Sequence, residues 1–411
     1  MNITIQPTLL NGGITPPPSK SQAHRAVIAA ALSGGVSTLG NLTPSQDIAA
    51  TLECMAAMGA GVEELGMNRV RVHGLGRSIP RNADRLICFD CGESGSTLRF
   101  LIPIALAVAG GGQFTGHGRL MERPQTPYFH LFDEKGIAYR QKDGVLTVKG
   151  VLKPGTYCLP GNVSSQFITG LLYALPVLEG DSEIVLTTPL ESEGYVDMTL
   201  EVLAQFGIRV KREENRFLVP GGQHYQSRDT DMEADWSQAA FWYAARVLGS
   251  GVDILGMNET SRQGDRCVAA CCEKLAQGGD VTLDVSQCPD LVPALAAMAA
   301  VRQGTTRIVN AARLRIKESD RLAAVTHVLS KLGADVTEQP GGLTIVGRAV
   351  LAGGVCVDSH NDHRIAMMAA IAATCCQQPV TVLGAQCVAK SYPGFWKDYE
   401  QLGGIIIIEQ E

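Results

Sequence analysis

Six stretches of this chain are apolar around nearly the whole circumference of a helix: SKSQAHRAVIAAAL, ESGSTLRFLIPIALAVA, NVSSQFITGLLYALPVL, DWSQAAFWYAARVL, PDLVPALAAMAAV and NDHRIAMMAAIAA. A helix with no polar face has to be enclosed by other structure, and the abundance of Ala and Gly in these segments lets neighbours approach closely. A second series alternates with the first: MAAMGAGVEE, DEKGIAYRQ, LAQFGIRVKR, LAQGGDVTLD, SKLGADVTEQ and EQLGGIIIIE. Each reads as a helix end stopped by glycine and followed by a strand. The first glycines, Gly59, Gly136, Gly207, Gly278, Gly333 and Gly403, fall about 55 to 77 residues apart, and glycine there suits a left-handed C-cap. VEELGMNRVRVHG, RQKDGVLTVKG and TEQPGGLTIVG carry the turn residues and alternation of paired strands.

The pattern predicts an α/β protein built from a βαβαββ unit used six times. Two inside-out domains of three units each, with parallel buried helices in the middle and sheets outside, account for it. The polar, turn-rich stretch 221-GGQHYQSRDTDMEAD-235 reads as a crossing between domains, and the short strand before 15-TPPPS-19 is expected to pair with the last unit. The expected division is residues 1–18 with 230–411 as one discontinuous domain and 19–229 as an inserted one. The active site is expected in the cleft between them.

Composition narrows the function. A length of 411 residues suits two domains, and 45% apolar with 18% charged residues is ordinary globular text. A net charge of −6 gives no general attraction to nucleic acid or to an anionic membrane. The opening MNITIQPTLLNGG lacks the features of a signal or transit peptide, and the apolar run 100-FLIPIALAVAGGG-112 is too short and too broken to span a bilayer. A cytoplasmic monomer with no membrane or nucleic-acid partner is expected. The twelve cysteines, set mostly in apolar helical text, suit reduced thiols, and Cys88 and Cys91 are read as two buried thiols rather than half of a metal site.

The polar residues that do occur near the apolar helices gather at their starts: Lys20, Ser21 and Arg25; Glu93, Ser94, Gly95 and Ser96; Ser164, Ser165 and Gln166; Asp235 and Ser237; Asp290; Asp362, His363 and Arg364. Ser and Asp are ordinary N-caps. Cations are not, because they oppose the helix macrodipole. The amphipathic helices begin with further cations, Arg123, Lys317, Arg321 and Lys390, at one phase of the repeat. Such a collection, with helix N-termini aimed one way, points to small polyanions bearing phosphate and carboxylate. No Walker motif or strand-anchored GxGxxG accompanies it, so a nucleotide is not indicated. His24 and His363 have neither zinc nor triad spacing and are expected to serve as hydrogen-bonding groups.

At these residues the chain resembles the 5-enolpyruvylshikimate-3-phosphate (EPSP) synthase family, through PSKSQAHR, ESGSTLR, MERP, NVSSQF, SEGYVDMT, RIKESDR, NDHRIAM and AKSYPGF in family order. The resemblance implies transfer of the enolpyruvyl group of phosphoenolpyruvate to the 5-hydroxyl of shikimate 3-phosphate, without metal or organic cofactor. It implies Lys20, Ser21, Arg25, Ser164, Ser165, Gln166, Ser192, Asp290 and Lys317 for shikimate 3-phosphate. For phosphoenolpyruvate it implies Lys20, Gly95, Arg123, Gln166, Arg321, Arg364 and Lys390, at the position where the inhibitor glyphosate competes in that family. Tyr195 and Glu318 lie in the same motifs and are expected to line the site. Asp290 is the candidate base for the attacking hydroxyl, and Glu318 and Lys20 are candidates for proton delivery to C3. Two family positions differ here: Glu93 stands where Asn is common, and Arg313 replaces an Asn found in some relatives. The related UDP-N-acetylglucosamine enolpyruvyl transferases carry Lys-Asn near the N-terminus and a loop Cys, whereas here Ser21 follows Lys20 and 119-RLMERPQTP-127 has no Cys. A binding protein without turnover would not need Asp290, Glu318 and Lys20 together.

Overall fold

The computed structural model describes residues 1–76 and 86–409. The six apolar stretches form helices Lys20–Leu32, Gly95–Val108, Ser165–Ala174, Trp236–Val247, Val292–Ala300 and His363–Ala373, each buried along nearly its whole length. The chain divides into two compact units, Met1–Pro17 with Ala234–Glu411 and Pro18–Glu233. The return crossing comes after Glu233, later than the 229/230 expected from the turn-rich text, because Thr230 and Asp231 still pair in parallel with Leu39 and Gly40 of the inserted unit.

Among the described residues of the inserted unit, three four-stranded sheets repeat one pattern. Ile87–Asp90 runs parallel to Gly111–Thr115, and the hairpin Ala138–Lys142/Val145–Lys149 joins it antiparallel with its later strand inside. Thr156–Leu159, Ser182–Leu186, Arg216–Val219 and Lys211–Glu213 do the same. In these two sheets the parallel pair requires a helical crossover, and the apolar helix supplies it. In each sheet one face is buried and the other solvated, as in the burial alternation of Val145–Lys149.

The discontinuous unit departs from strict repetition. Its first repeat has only a two-stranded parallel sheet, Asn11–Ile14 with Gly251–Ile254. The strand expected after Gly278 forms as Val281–Asp284, and it pairs with Thr305–Val309 in the next sheet. The left-handed residue there is Gly279 rather than Gly278, while the other five repeat glycines all have positive φ. In the last sheet the N-terminal strand Asn2–Gln6 lies between Val380–Leu383 and Ile405–Glu409, so the two ends of the chain complete one hairpin position.

All cysteines are free thiols. The expected pair of buried thiols fails at Cys88, which is exposed: it sits on the outward phase of strand Ile87–Asp90, while Cys91 lies past the strand end and is buried. Cys158 and Cys356 are likewise exposed on strands. No helix among the described residues is long and apolar enough to cross a membrane.

Candidate active site

In the discontinuous unit, a turn and two helix N-termini bring six of the expected residues together. Asp290 belongs to a single 3-10 turn, Pro289–Leu291, ahead of the buried helix; Asp320 caps the Arg321–Lys331 helix by accepting from Ala323 N, and Asp362 caps His363–Ala373 by accepting from Arg364 N. Capping therefore explains Asp320 and Asp362 but not Asp290. Arg321, 1% exposed, is the hub of the cluster. Its Nη1 donates to Asp290 Oδ1 at 2.8 Å, its Nη2 to Glu318 Oε2 at 2.7 Å and its Nε to Asp362 Oδ2 at 2.8 Å. Lys317 Nζ stands 3.3 Å from Asp290 Oδ1, and Arg364 reaches both the carboxylate of Asp290, at 3.6 Å, and its main-chain carbonyl, at 3.1 Å. Lys390 Nζ donates to the carbonyl of Asn361, one residue before Asp362, at 2.6 Å.

Charge sets the protonation states. Burial pushes the Asp290 carboxyl upward, but Lys317, Arg364 and Arg321 together hold it well below the usual carboxylate range, against opposition from Glu318. Asp362, also raised by burial, is lowered by Arg321. Lys317 moves down because burial outweighs the attraction of Asp290. The Asp290 and Glu318 side chains each keep 17% of their surface open to solvent.

The inserted unit gathers the other residues on three serine-capped helix starts. Ser19, Ser94 and Ser164 accept from Gln22 N, Thr97 N and Gln166 N. Lys20 Nζ is 2.6 Å from Asp47 Oδ2. Buried Arg25 donates to Thr199 Oγ1 at 2.8 Å and to the carbonyls of Ser21 and Tyr195 at 2.7 and 3.0 Å, with its guanidinium over the Phe100 ring. Tyr195 thus contributes its backbone. Ser192, at φ 55°, occupies the left-handed region directly before helix Glu193–Gln205, a strained conformation for a residue with a side chain.

The second helix start is packed without slack. A Cβ added to Gly95 would come within 2.8 Å of Arg123 Nη1 and 3.4 Å of Gln166 Oε1. Gln166 accepts from Arg99 Nη1 at 2.8 Å and donates to Ser96 Oγ at 3.0 Å. Pro103 lies inside this helix and has no N–H to offer the Arg99 carbonyl one turn earlier. Tyr128 Oη donates to that carbonyl instead, at 2.7 Å, and lies 3.0 Å from the Phe167 carbonyl on the neighbouring helix.

A family model described as EPSP synthase (3-phosphoshikimate 1-carboxyvinyltransferase) matches residues 5–399. The chain is 47% identical over 429 residues to a 3-phosphoshikimate 1-carboxyvinyltransferase of Clostridium novyi, with 98% of each chain covered. The chain belongs to the EPSP synthase family. The Clostridium kluyveri relative of the same description is 45% identical, again with 98% of both covered. Among solved structures, EPSP synthase from Acinetobacter baumannii superposes with a TM-score of 0.81 at 26% identity, covering 100% of both chains. The enolpyruvyl transferase NikO from Streptomyces tendae, at 17% identity and a TM-score of 0.77, shares the fold. Family membership makes this chain an enzyme, a carboxyvinyltransferase.

Four residues of these clusters lay outside the EPSP synthase motif assignments made from sequence. Arg99 had a signal, since it is the one cation within the apolar text LRFLIPIAL. Asp362 reads as a capping residue, and nothing in sequence shows that it also holds Arg321 or that Ser319 donates to its Oδ2 at 3.0 Å. Asp47 looked like an ordinary acid in a helix first turn. Of the two family differences, Glu93 sits against Gly118, and Arg313 donates to the Ser286 carbonyl, bracing the chain before Asp290.

Proposed function

We propose that the two clusters serve one reaction and divide its work. The chain transfers the enolpyruvyl group of phosphoenolpyruvate to the 5-hydroxyl of shikimate 3-phosphate in the shikimate pathway, releasing phosphate. In our reading, Arg25 with Lys20, Ser21, Ser164, Ser165, Gln166 and Ser192, joined by Asp290 and Lys317, takes shikimate 3-phosphate. Lys20, Gly95, Arg123, Gln166, Arg321, Arg364 and Lys390 take phosphoenolpyruvate. Asp290 accepts the hydroxyl proton as oxygen bonds to C2 of phosphoenolpyruvate, while Glu318 or Lys20 delivers a proton to C3. The tetrahedral adduct then loses a proton from C3 as its C2–O bond to phosphate breaks.

The observation that carries this reading is the setting of Asp290, a partly open carboxylate contacted by Lys317, Arg321 and Arg364. With its pKa depressed it is ionised and ready to accept a hydrogen bond from a hydroxyl. Anionic substrates bound to the same cations weaken their hold, raising the basicity of Asp290 when a proton has to be taken. Phosphate and carboxylate match the guanidinium forks in geometry as well as charge.

The test is to mix purified protein with both substrates and follow phosphate release. Release that requires both is expected. Absence of release, with turnover of UDP-N-acetylglucosamine and phosphoenolpyruvate instead, would transfer the chain to the related enolpyruvyl transferase.

A further inference from the structure

Four buried side chains that the assignments above leave unused form a continuous hydrogen-bonded chain in the inserted unit. His24 Nδ1 lies 2.7 Å from Thr51 Oγ1, Thr51 Oγ1 lies 2.7 Å from Thr97 Oγ1, and Thr97 Oγ1 donates to Ser94 Oγ at 2.8 Å. His24 and Ser94 are 1% exposed and the two threonines 0%. Thr51 Oγ1 also faces the Asp47 carbonyl at 3.2 Å, so the proton order depends on which acceptor Thr51 uses. If Thr51 gives its proton to Thr97, whose own goes to Ser94, it takes a hydrogen bond from His24 as the Nδ1–H tautomer, which leaves a lone pair on Nε2. That nitrogen is buried and, among the described residues, has no hydrogen-bond partner. Burial first, then Lys20 and Arg25, keep the ring neutral.

Each member stands one turn or less from a residue assigned to phosphoenolpyruvate or to its partner. His24 follows Lys20 by one helical turn, and Thr51 follows Asp47, the Lys20 partner, by one turn. Ser94 caps the helix that begins at Gly95, where an added Cβ would already crowd Arg123 and Gln166. We propose that the His24–Thr51–Thr97–Ser94 chain is a positioning device for phosphoenolpyruvate, with His24 as its donating end, holding the first turn of the Gly95 helix in register with the Lys20–Asp47 pair. This rests on the assignment of Lys20, Gly95, Arg123 and Gln166 to that substrate.

Thr51→Val keeps the shape and removes the central hydroxyl; Thr51→Ser keeps the hydroxyl. We expect Thr51→Val to raise KM for phosphoenolpyruvate roughly fivefold, the ordinary worth of a neutral hydrogen bond, with KM for shikimate 3-phosphate little changed, and Thr51→Ser to restore the wild-type value. Equal movement of both KM values, no movement, or failure of Thr51→Ser to rescue would overturn the proposal. If Thr51→Val does not fold, Thr97→Val against Thr97→Ser decides in the same way. Nitrogen NMR of the histidine rings should show His24 as Nδ1–H; an Nε2–H tautomer reverses the chain and sinks its stated direction. Arg123→Ala separates the two levels: a raised phosphoenolpyruvate KM there with none in Thr51→Val defeats only this inference, whereas none in either defeats the substrate assignment.

Discussion

Arg25 and Arg321 are both buried arginines at helix N-termini, one in each unit, and their surroundings are opposite. Arg321 is surrounded by three carboxylates, those of Asp290, Glu318 and Asp362, which raise its pKa although burial opposes them. Arg25 is held by a hydroxyl, two carbonyls and an aromatic face, and burial, partly opposed by Tyr173 and Tyr195, brings its pKa down to about 10. A buried cation satisfied by dipoles alone is stabilised when an anion arrives. A buried cation already among carboxylates instead fixes those carboxylates in place. The inserted unit thus holds a buried cation on dipoles, and the discontinuous unit a buried cation that fixes three carboxylates.

The sharpest break of this contrast is Asp290→Asn, which should lower kcat by about a thousandfold or more while both substrates still bind, because general-base groups contribute up to ~10⁴-fold. Near-normal turnover would remove Asp290 from its role. Next in size, Arg321→Met strands the Asp362 carboxylate, which is 0% exposed, and should destabilise the protein by about 3–5 kcal/mol in chemical denaturation. Arg25→Met strands no carboxylate, so it should cost about 1–2 kcal/mol and appear instead as a raised KM for shikimate 3-phosphate. Equal losses of stability would erase the distinction between the two arginines. Arg123→Ala should weaken phosphoenolpyruvate binding by about 1.5–3 kcal/mol, the worth of a hydrogen bond to a charged group, seen as a higher KM.

The smallest effect is on acid stability. His24 has a folded pKa below its unfolded value of about 6.5, so its contribution is complete above that pH and fades as pH falls below it. Asp290 and Asp362 also have depressed pKa values, so theirs is complete above about pH 4 and is lost only on further acidification. Hydrogen exchange during an acid titration should therefore show the inserted unit loosening first, with His24→Asn removing that early phase. Simultaneous loosening of both units, unchanged in His24→Asn, would contradict it.

Much of the fold was legible because burial leaves a periodic trace. A helix enclosed on all sides must be apolar on all sides, and a helix that stops before a strand favours glycine, so the six helices and most strands were set by local text. The local signal gave the strand Val281–Asp284 but not the sheet it joins, and it misled at Cys88, where only the phase of the strand settles which side faces water. The assigned residues were legible as cations in the wrong place for a helix N-terminus. Their partners Asp47, Ser319 and Asp362 were not, since an acid or serine at a helix start looks the same whether it serves that helix or a distant cation and its partner.

The amino-acid order alone set the chemistry on offer: which helices would be enclosed, which starts would carry charge, and to which family the chain belongs. Tertiary structure decided what each charge meets. Asp290 and Arg321 are 31 positions apart and Arg25 and Thr199 are 174, and side-chain pairing at such separations depends on the meeting of helix ends, which local periodicity does not encode.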